Sequence, residues 1–550
     1  MSVRQLERPW MSSWPKDVPK SIDYPEISLG QMLHKIAGNF PENPALYYLR
    51  QKITFFELET LAGKFGKALQ KCGVRKGDRV ALYLPNIPEF VVAYHGVLRI
   101  GAICVAISPL YKERELLQIL TDSEARVVVC WDRLLQFVEA TRNRQKLDHI
   151  ITATGDDVSL RASNQVQENS TLETESMSTF IAENDGISSL ADVEPRKDVA
   201  LLQYTGGTTG VPKGSMLTHY NIVANAIQFS TWLGMKAGEV HLAALPLFHI
   251  YGMTVAMNAP IFTSGSIVLI PDPRDTSSIL QAIDDLKPTV FCGVPAMYDA
   301  IINRPNINRD KLRSIRVCVS GASPLSLQVQ QKFEELTGGR LVEGYGLTEA
   351  SPVTHVNPLD SAKKNRFGSI GIPISDTEAK IVDAETGTHV QPPGIAGELV
   401  IRGPQVMIGY WHNTQETKIA LRDNWLYTGD IATIDADGYF HIVDRKKDMI
   451  NVSGMKVWPR EVEEVLCEHP AVREAATVST PDPTSGEAVK AFVVLRDGFK
   501  VTPSELIAFC KERIADYKAP KIVVFRETLP KSSADKVLRR ELRKDNVVRR

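Results

Sequence analysis

Short apolar runs that alternate with helical patterns constrain this chain more than any other feature. Arg79-Val-Ala-Leu-Tyr-Leu84 reads as a buried strand, Pro88 to Ile100 as a helix, and Ala102 to Ile107 as a second strand. Strand, helix, strand at this spacing predicts parallel α/β architecture, because parallel neighbours need a crossover that a helix supplies. Asp122 to Trp131 and Ile150 to Thr154 extend the alternation. A second series runs from Leu201 to about residue 360, with strands expected at Ile267–Ile270, Val290–Cys292 and Val317–Val319. Upstream, the pattern turns helical from Ser28, and Thr54 with Glu57 forms a capping box that opens another helix. At 550 residues the chain is too long for one core, so two to four domains or subdomains are expected.

The flanks differ in character. Residues 1–25, rich in Trp, Pro and polar residues, read as an extended arm. Gly155 to Ser189 is Ser/Thr/Asn/Glu-rich without periodicity and reads as a mobile surface insertion without chemistry. Past Arg366 the sequence becomes β-like, with turns at Glu385-Thr-Gly387, Pro393-Gly394 and Asp437-Gly438. The charged run Asp444-Arg-Lys-Lys-Asp448 then precedes a compact α+β tail. By composition alone it is a solvated charge run, and a hinge is expected there.

A net charge of −1 gives no electrostatic case for nucleic acid or for an anionic membrane. Seven scattered cysteines, with no CxxC, argue against a disulfide framework or a zinc site, and a reducing, cytoplasmic compartment fits. The N-terminus, with Arg4, Glu7 and Arg8, shows no secretory signal. His95 and Arg99 interrupt the most apolar stretch, Val91 to Tyr111, which makes it a poor membrane span. Peripheral membrane contact stays open.

Tyr204-Thr-Gly-Gly-Thr-Thr-Gly-Val-Pro-Lys-Gly214 is the first stretch with chemistry. A short apolar run precedes it, and Ser215 to Phe229 follows with apolar residues at helical spacing, so a strand–turn–helix is expected. Glycines let backbone N–H groups crowd around an anion, threonines add hydroxyl donors and Lys213 adds a charge. The Walker spacing is absent, since Lys213 is followed by Gly214. Taken alone, the stretch is equally a glycine-rich surface turn. Likewise Glu343-Gly-Tyr-Gly-Leu-Thr-Glu349 lacks the third glycine of a dinucleotide fingerprint, because Glu349 stands in its place.

Together, in order, these stretches resemble the signatures of the adenylate-forming superfamily of acyl-CoA synthetases, luciferases and adenylation domains. The Thr-Gly-Gly-Thr-Thr-Gly form looks most like long-chain fatty acid–CoA ligases. The resemblance implies an α/β fold: a large N-terminal domain (1–445) of two packed α/β subdomains plus a β-rich subdomain, then a small mobile α+β domain (446–550). It implies that Thr205, Gly206, Gly207, Thr208, Thr209, Gly210 and Lys213 hold phosphates. Gly321, Ala322 and Ser323 would line the adenine, with Ser323 where members often carry proline. Glu343, Gly344, Tyr345, Gly346, Leu347 and Thr348 would complete the nucleotide site, Tyr345 stacking on adenine and Thr348 meeting the α-phosphate. Glu349, helped by Thr205, would hold Mg²⁺, for which hard oxygen donors are suited.

Further resemblances follow. Leu245-Pro-Leu-Phe-His-Ile-Tyr-Gly252 is similar to the motif lining the acyl pocket, with His249 beside the substrate carboxylate. Amino-acid adenylating relatives carry Asp just after the Phe, so a free α-amino substrate is not expected. Asp430 resembles the ribose clamp, Arg445 an arginine reaching ribose and phosphate, and Ile442 a neighbour packing nearby. Lys447 matches the hinge, and Ser453 with Gly454 the loop around pantetheine. Lys536 matches the catalytic lysine, preceded by Asp535 where the family usually has glycine, and Lys531, Arg539 and Arg540 read as surface charges.

The implied activity joins a fatty acid to AMP with loss of pyrophosphate, then moves the acyl group to CoA. ATP, Mg²⁺ and CoA are thus expected, and the protein would be a monomer or homodimer. The alternatives are an aryl- or short/medium-chain acid–CoA ligase, or a catalytically weakened nucleotide-binding relative.

Overall fold

The structure, a computed structural model, describes residues 8–49, 51–155, 174–183, 186–205, 212–360, 366–453, 455–531 and 536–544. They fall into two compact units. The larger comprises Ser13–Glu378 and Ile401–Leu426. The smaller comprises Ala379–Val400, the chain from Tyr427 onward and the N-terminal residues up to Ser12.

The alternating runs of the larger unit do form a parallel sheet. In order across it lie Gly409–Tyr410, Lys213–Thr218, Val199–Thr205, Ile103–Ala106, Arg79–Tyr83, Val127–Trp131, His149–Ala153 and Thr174–Ser176. From Val199–Thr205 to Thr174–Ser176 every pairing is parallel. Past Arg79, which opens its strand half-buried, the inner strands are apolar because both faces are covered. Helix Pro88–Arg99 is buried along its whole length, and His219–Trp232 along all but Thr231. Such helices bury every face rather than one stripe. Thr54 caps helix Phe55–Lys71, and Glu57 returns the capping-box bond, as the sequence predicts.

A second sheet orders Gln51–Thr54, Pro44–Tyr48, Ser266–Leu269 and Val240–Ala243. Parallel bridges through Val290 carry it to Val317–Ser320, Arg340–Gly346, Val353–Val356 and Ile372–Pro373. The strand expected at Val290–Cys292 is thus reduced to isolated bridges, at Val290 and Gly293. Pro288 and Pro295 bracket the run, and proline cannot donate to a ladder. Leu242, Val268, Phe291, Tyr298, Phe333 and Leu341 form part of this sheet's core.

Three sequence expectations are corrected. Lys213–Thr218 is a strand antiparallel to Val199–Thr205, not the start of a helix. The helix begins only at His219, where Thr218 and Asn221 make a capping box. The insertion returns to the fold at Thr174–Ser176, which adds a sheet strand, and at Met177–Ala182, whose Phe180 is buried against Phe65. The N-terminal arm is tethered by burial. Trp14 packs edge-on against Trp232, and Asp376 accepts hydrogen bonds from the Ile22 N–H and the Tyr24 hydroxyl.

In the smaller unit, residues 379–382, 397–400, 427–434 and 440–445 lie in one sheet. Gly387, Gly394 and Gly438 occupy the left-handed region at the turns the sequence marks. A further sheet orders Met455–Val457, Ile450–Val452, Gly486–Leu495 and Val472–Asp482, with Ile522–Phe525 parallel to Gly486–Leu495. Its period-two pattern serves two cores. Val489, Ala491 and Val493 pack with Val462, Leu466 and Leu506, while Phe492 and Val494 pack with Leu529 and Leu542.

No helix among the described residues is long and apolar enough to cross a membrane. Arg99, within the most apolar stretch, is ion-paired with Glu59. All seven cysteines are free, and Cys104 and Cys318 are buried as small apolar groups.

Candidate active site

The hairpin of the larger unit sets the first part of the site. Thr205 ends one strand and Lys213 begins its antiparallel partner, directly opposite it. Gly206, Gly207, Thr208, Thr209 and Gly210 lie outside the described residues. One pair back from the hairpin's loop the Tyr204 hydroxyl donates to Asp122 (2.6 Å), and burial raises its pKa.

Strand Arg340–Gly346 carries the second part. Glu343 pairs with Ser320, so the two loops that follow these parallel strands, one bearing Gly321, Ala322 and Ser323, leave the same sheet edge. Glycine is needed at Gly346, where a Cβ would meet the Pro352 carbonyl oxygen at 2.1 Å. At Gly321 a Cβ would press on the Tyr251 ring at 3.0 Å. Ala322 adopts a left-handed φ of 70°. The Tyr345 ring meets His355 edge-on, with centroids 5.9 Å apart. Burial holds His355 neutral, with a pKa lowered to about 3. The chain then extends through Leu347 into a single 3-10 turn, Thr348–Ala350, with Thr348 buried and Glu349 at its centre.

His249 caps a short helix, its Nδ1 accepting from the Tyr251 N–H (3.2 Å). In the neutral ring this leaves the proton on Nε2. The loop before it is clamped by buried Asn86, which donates to the Ala243 and Leu245 carbonyls and accepts from the Leu247 N–H. Gln203, from the strand leading to Thr205, donates to the Phe248 carbonyl. The Tyr251 hydroxyl reaches the Val319 carbonyl (2.9 Å), joining this loop to the one at Gly321.

Two charged groups of the site share a neighbour. Glu349 accepts a 2.8 Å hydrogen bond from the Tyr410 hydroxyl. Lys213 forms an ion pair with Glu416, and its ammonium lies 5.4 Å from the centroid of the Tyr410 ring. Beside them Asp122, Pro212, Lys213, Trp411, His412, Asn413 and Glu416 line a cavity of about 110 Å³. Thr205 and Glu349 supply a hydroxyl and a carboxylate. Among the described residues no three His, Cys, Asp or Glu side chains gather as a metal cage. Oxygen donors with one carboxylate fit Mg²⁺, which keeps substrate phosphates and water as its remaining ligands.

The remaining candidates lie on the smaller unit. Asp430 and Arg445 face each other across a strand pair, with Arg445 Nε 3.4 Å from the carboxylate. Ile442 pairs with Ala432 on the same ladder. Gly429, at φ 72°, donates its N–H to Glu398, which also accepts from Lys446. Lys447 is exposed within the turn Lys446–Asp448. Ser453 begins the turn between strands Ile450–Val452 and Met455–Val457, its N–H bonded to the Ser485 carbonyl, while Gly454 lies outside the described residues. Lys536 is half-buried beside Val537, which packs on the core of Ala476, Val478, Phe492 and Val494. Asp535 lies outside the described residues.

Two expectations fail here. Asp444–Asp448 is not simply a solvated charge run, since the Asp444 and Asp448 side chains are 2% and 6% exposed. Nor is Arg539 a surface charge: it pairs with Glu463 at 2.7 Å and lies 3.9 Å from Asp444 and 3.6 Å from Asp448. Arg543 adds a bond to Asp448 (2.6 Å), and Lys531 pairs with Glu474. Arg540 is exposed, as expected. Burial raises the pKa of Asp444 and of Glu463, and Arg539 counters it. Arg539→Ala would leave this acidic group without its main counterion, and a buried pair broken from one side costs about 3–5 kcal/mol. Urea unfolding followed through the smaller unit should register that loss, and a loss below about 1 kcal/mol, the range of exposed pairs, would contradict the network's role.

Asn86, His355, Tyr410 and Glu416 lie in none of the motifs read from the sequence; only the tertiary arrangement reveals them.

Residues 33–411 match the model of the AMP-binding enzyme family, and 461–536 that of the AMP-binding enzyme C-terminal domain. The chain is 42% identical to a long-chain-fatty-acid–CoA ligase of Bacillus subtilis, covering 98% of each. It is 39% identical to a ligase of the same name from Escherichia coli O6:H1, again over 98% of each. Among solved structures, ATP-bound MatB from Rhodopseudomonas palustris is similar at 28% identity. Its TM-score is 0.84, over 94% of this chain and 99% of that one.

Proposed function

The chain belongs to the AMP-binding enzyme family, and on that premise we propose that it is an ATP-dependent fatty acid–CoA ligase that works through an acyl-AMP. One observation carries this reading: the identity to the Bacillus subtilis ligase extends over 98% of both chains, taking in both family-model matches. The enzyme uses ATP, Mg²⁺ and CoA.

In the first half-reaction a carboxylate oxygen attacks the α-phosphorus, the bond to the bridging oxygen breaks, and pyrophosphate leaves. A carboxylate is a weak nucleophile toward a polyanion, so the protein contributes mainly alignment and charge neutralisation. Lys213 and the hydroxyl-rich turn from Thr205 hold the phosphates. Thr205 and Glu349 would hold Mg²⁺, which would supply positive charge beside the phosphate oxygens. Tyr345 and the loop Gly321–Ser323 take the adenine, and Asp430 the ribose hydroxyls, since one carboxylate can accept from both. His249, with its Nε2 proton, donates toward the substrate carboxylate and turns it to the phosphorus. Lys536 stabilises the charge that develops at the α-phosphate.

In the second half-reaction the CoA sulfur attacks the acyl carbon and AMP leaves. We assign this step to a rearranged enzyme in which 446–550 moves about Lys447 relative to 1–445, bringing Ser453 and Gly454 to the pantetheine arm. The conformational freedom of a small residue at 454 suits a loop that closes on a thin ligand. The cytoplasm is the proposed location.

Incubation with MgATP, CoA and straight-chain acids from C4 to C16 tests the reading through pyrophosphate and AMP release. Each methylene buried in an apolar tunnel contributes about 0.8 kcal/mol, so kcat/KM should climb steeply from C4 to C12. ADP and phosphate as products would refute the reaction class. A flat profile with chain length would overturn the fatty-acid assignment while leaving the ligase chemistry in place.

A further inference from the structure

Tyr410 lies outside every motif that marks the site, yet it touches two of the site's charged groups. Its hydroxyl donates to Glu349 Oε1 at 2.8 Å, and its ring lies beneath the Lys213 ammonium, 5.4 Å from centroid to nitrogen. The side chain is 9% exposed. Its backbone is held from two directions: residue 410 pairs with Ser215 on the phosphate-side hairpin, and its N–H donates to Thr417 Oγ1 at 2.9 Å. Helix Thr414–Ala420, which carries Thr417, also carries Glu416, the counterion of Lys213. Strand and helix thus present one tyrosine and one carboxylate to the two groups assigned to metal and phosphate.

We propose that Tyr410 is a positioning residue for the metal–triphosphate site, holding the Glu349 carboxylate in the orientation that accepts Mg²⁺ and the Lys213 ammonium over its ring. The proposal rests on the reading of Glu349 and Lys213 given above.

The physical case has three parts. A carboxylate on a one-turn 3-10 segment has rotatable bonds to settle, and a donor fixed to Oε1 orients the plane while Oε2 keeps its full lone-pair capacity. A neutral donor does this without cancelling the charge that the cation needs. The ring face contributes a cation–π attraction to the ammonium, and Glu416 completes the ammonium's environment until a phosphate arrives. Partners that orient a ligating carboxylate commonly change metal affinity by about 10- to 100-fold.

Isothermal titration with ATP, once in EDTA and once in excess Mg²⁺, isolates the effect without any turnover. Tyr410→Phe removes the hydroxyl and keeps the ring. Its metal-free ATP affinity should equal that of the unsubstituted enzyme, while the gain in affinity on adding Mg²⁺ falls by about tenfold or more. Tyr410→Leu removes the ring as well and should weaken metal-free ATP by about fivefold in addition. An unchanged Mg²⁺ gain in Tyr410→Phe overturns the proposal. So does a parallel loss of metal-free ATP binding in that variant, which would mark a merely structural role. Glu349→Gln separates the two levels. If it abolishes the Mg²⁺ gain while Tyr410→Phe keeps it, the part given to Tyr410 alone falls. If Glu349→Gln keeps the gain, the assignment of the metal to Glu349 fails and the proposal falls with it.

Discussion

Lys536→Ala is expected to slow acyl-AMP formation by about 10²–10³-fold, the usual loss when one donor that meets developing charge is removed. Thioester formation from supplied acyl-AMP should stay close to the unsubstituted rate, because the phosphoryl centre has already reacted by then. Pyrophosphate release in a rapid-quench experiment reads the first step, and CoA consumption with synthetic acyl-AMP reads the second. Equal losses in both steps would count against the role. Lys447→Pro should give the opposite split, with adenylation kept and thioesterification lost, since proline fixes φ at the residue proposed to rotate. Normal thioesterification in that variant would remove the hinge from Lys447. The two substitutions act on one unit, but on different steps, so a general folding defect cannot imitate both.

The second large effect is on stability and comes from histidines. His95, His219, His241 and His355 are buried in the larger unit. Burial lowers their pKa values from the usual 6.5 to about 3 for His95 and His355, and to about 4 for His219 and His241. The folded values lie below the unfolded ones, so the stability they contribute is present above pH 6.5 and is lost as the pH falls toward the folded values. Between pH 6.5 and 4.5 the unfolded chain takes up a proton at each site and the folded chain does not. Each histidine then costs about 2–3 kcal/mol over that window, which lies above most carboxylate titrations. The sum of the four rivals the whole stability of an ordinary domain. Urea midpoints for the larger unit should therefore fall steeply from pH 6.5 to 4.5. A flat profile there would refute the neutral burial of these rings. Replacing His95 by Gln should flatten the slope by about one proton's share, about 1.4 kcal/mol per pH unit.

Much of the fold is written locally. Past Arg79, the strands at Arg79–Tyr83, Ile103–Ala106 and Val127–Trp131 are apolar because they are buried on both faces, and that pattern is visible residue by residue. Thr54 and Glu57 meet within one turn, so their capping box needs no tertiary information. The turn glycines at 387, 394 and 438 mark positions where φ is positive, and composition signals them directly. The ordered string of motifs from Tyr204 to Lys536 likewise identifies the family and the reaction, because each motif is short and contiguous.

What local pattern left open was decided at long range. Ser215 to Phe229 carries a helical spacing of apolar groups, yet Lys213–Thr218 pairs as a strand, because the ladder with Val199–Thr205 satisfies its backbone beside a buried sheet. Arg539 has the composition of a surface charge, and became the centre of a buried acidic group only when Glu463, 76 residues away, was brought against it. Tyr410 reaches Glu349 across 61 positions, and Glu416 reaches Lys213 across 203. The buried parallel strands, the caps, the turns and the motifs of the chemistry were legible in the chain alone, since each depends on neighbours a few residues apart. Which charges are buried, which are paired and what orients them could not be read that way, since desolvation and pairing are set by groups that meet only when the chain has closed on itself.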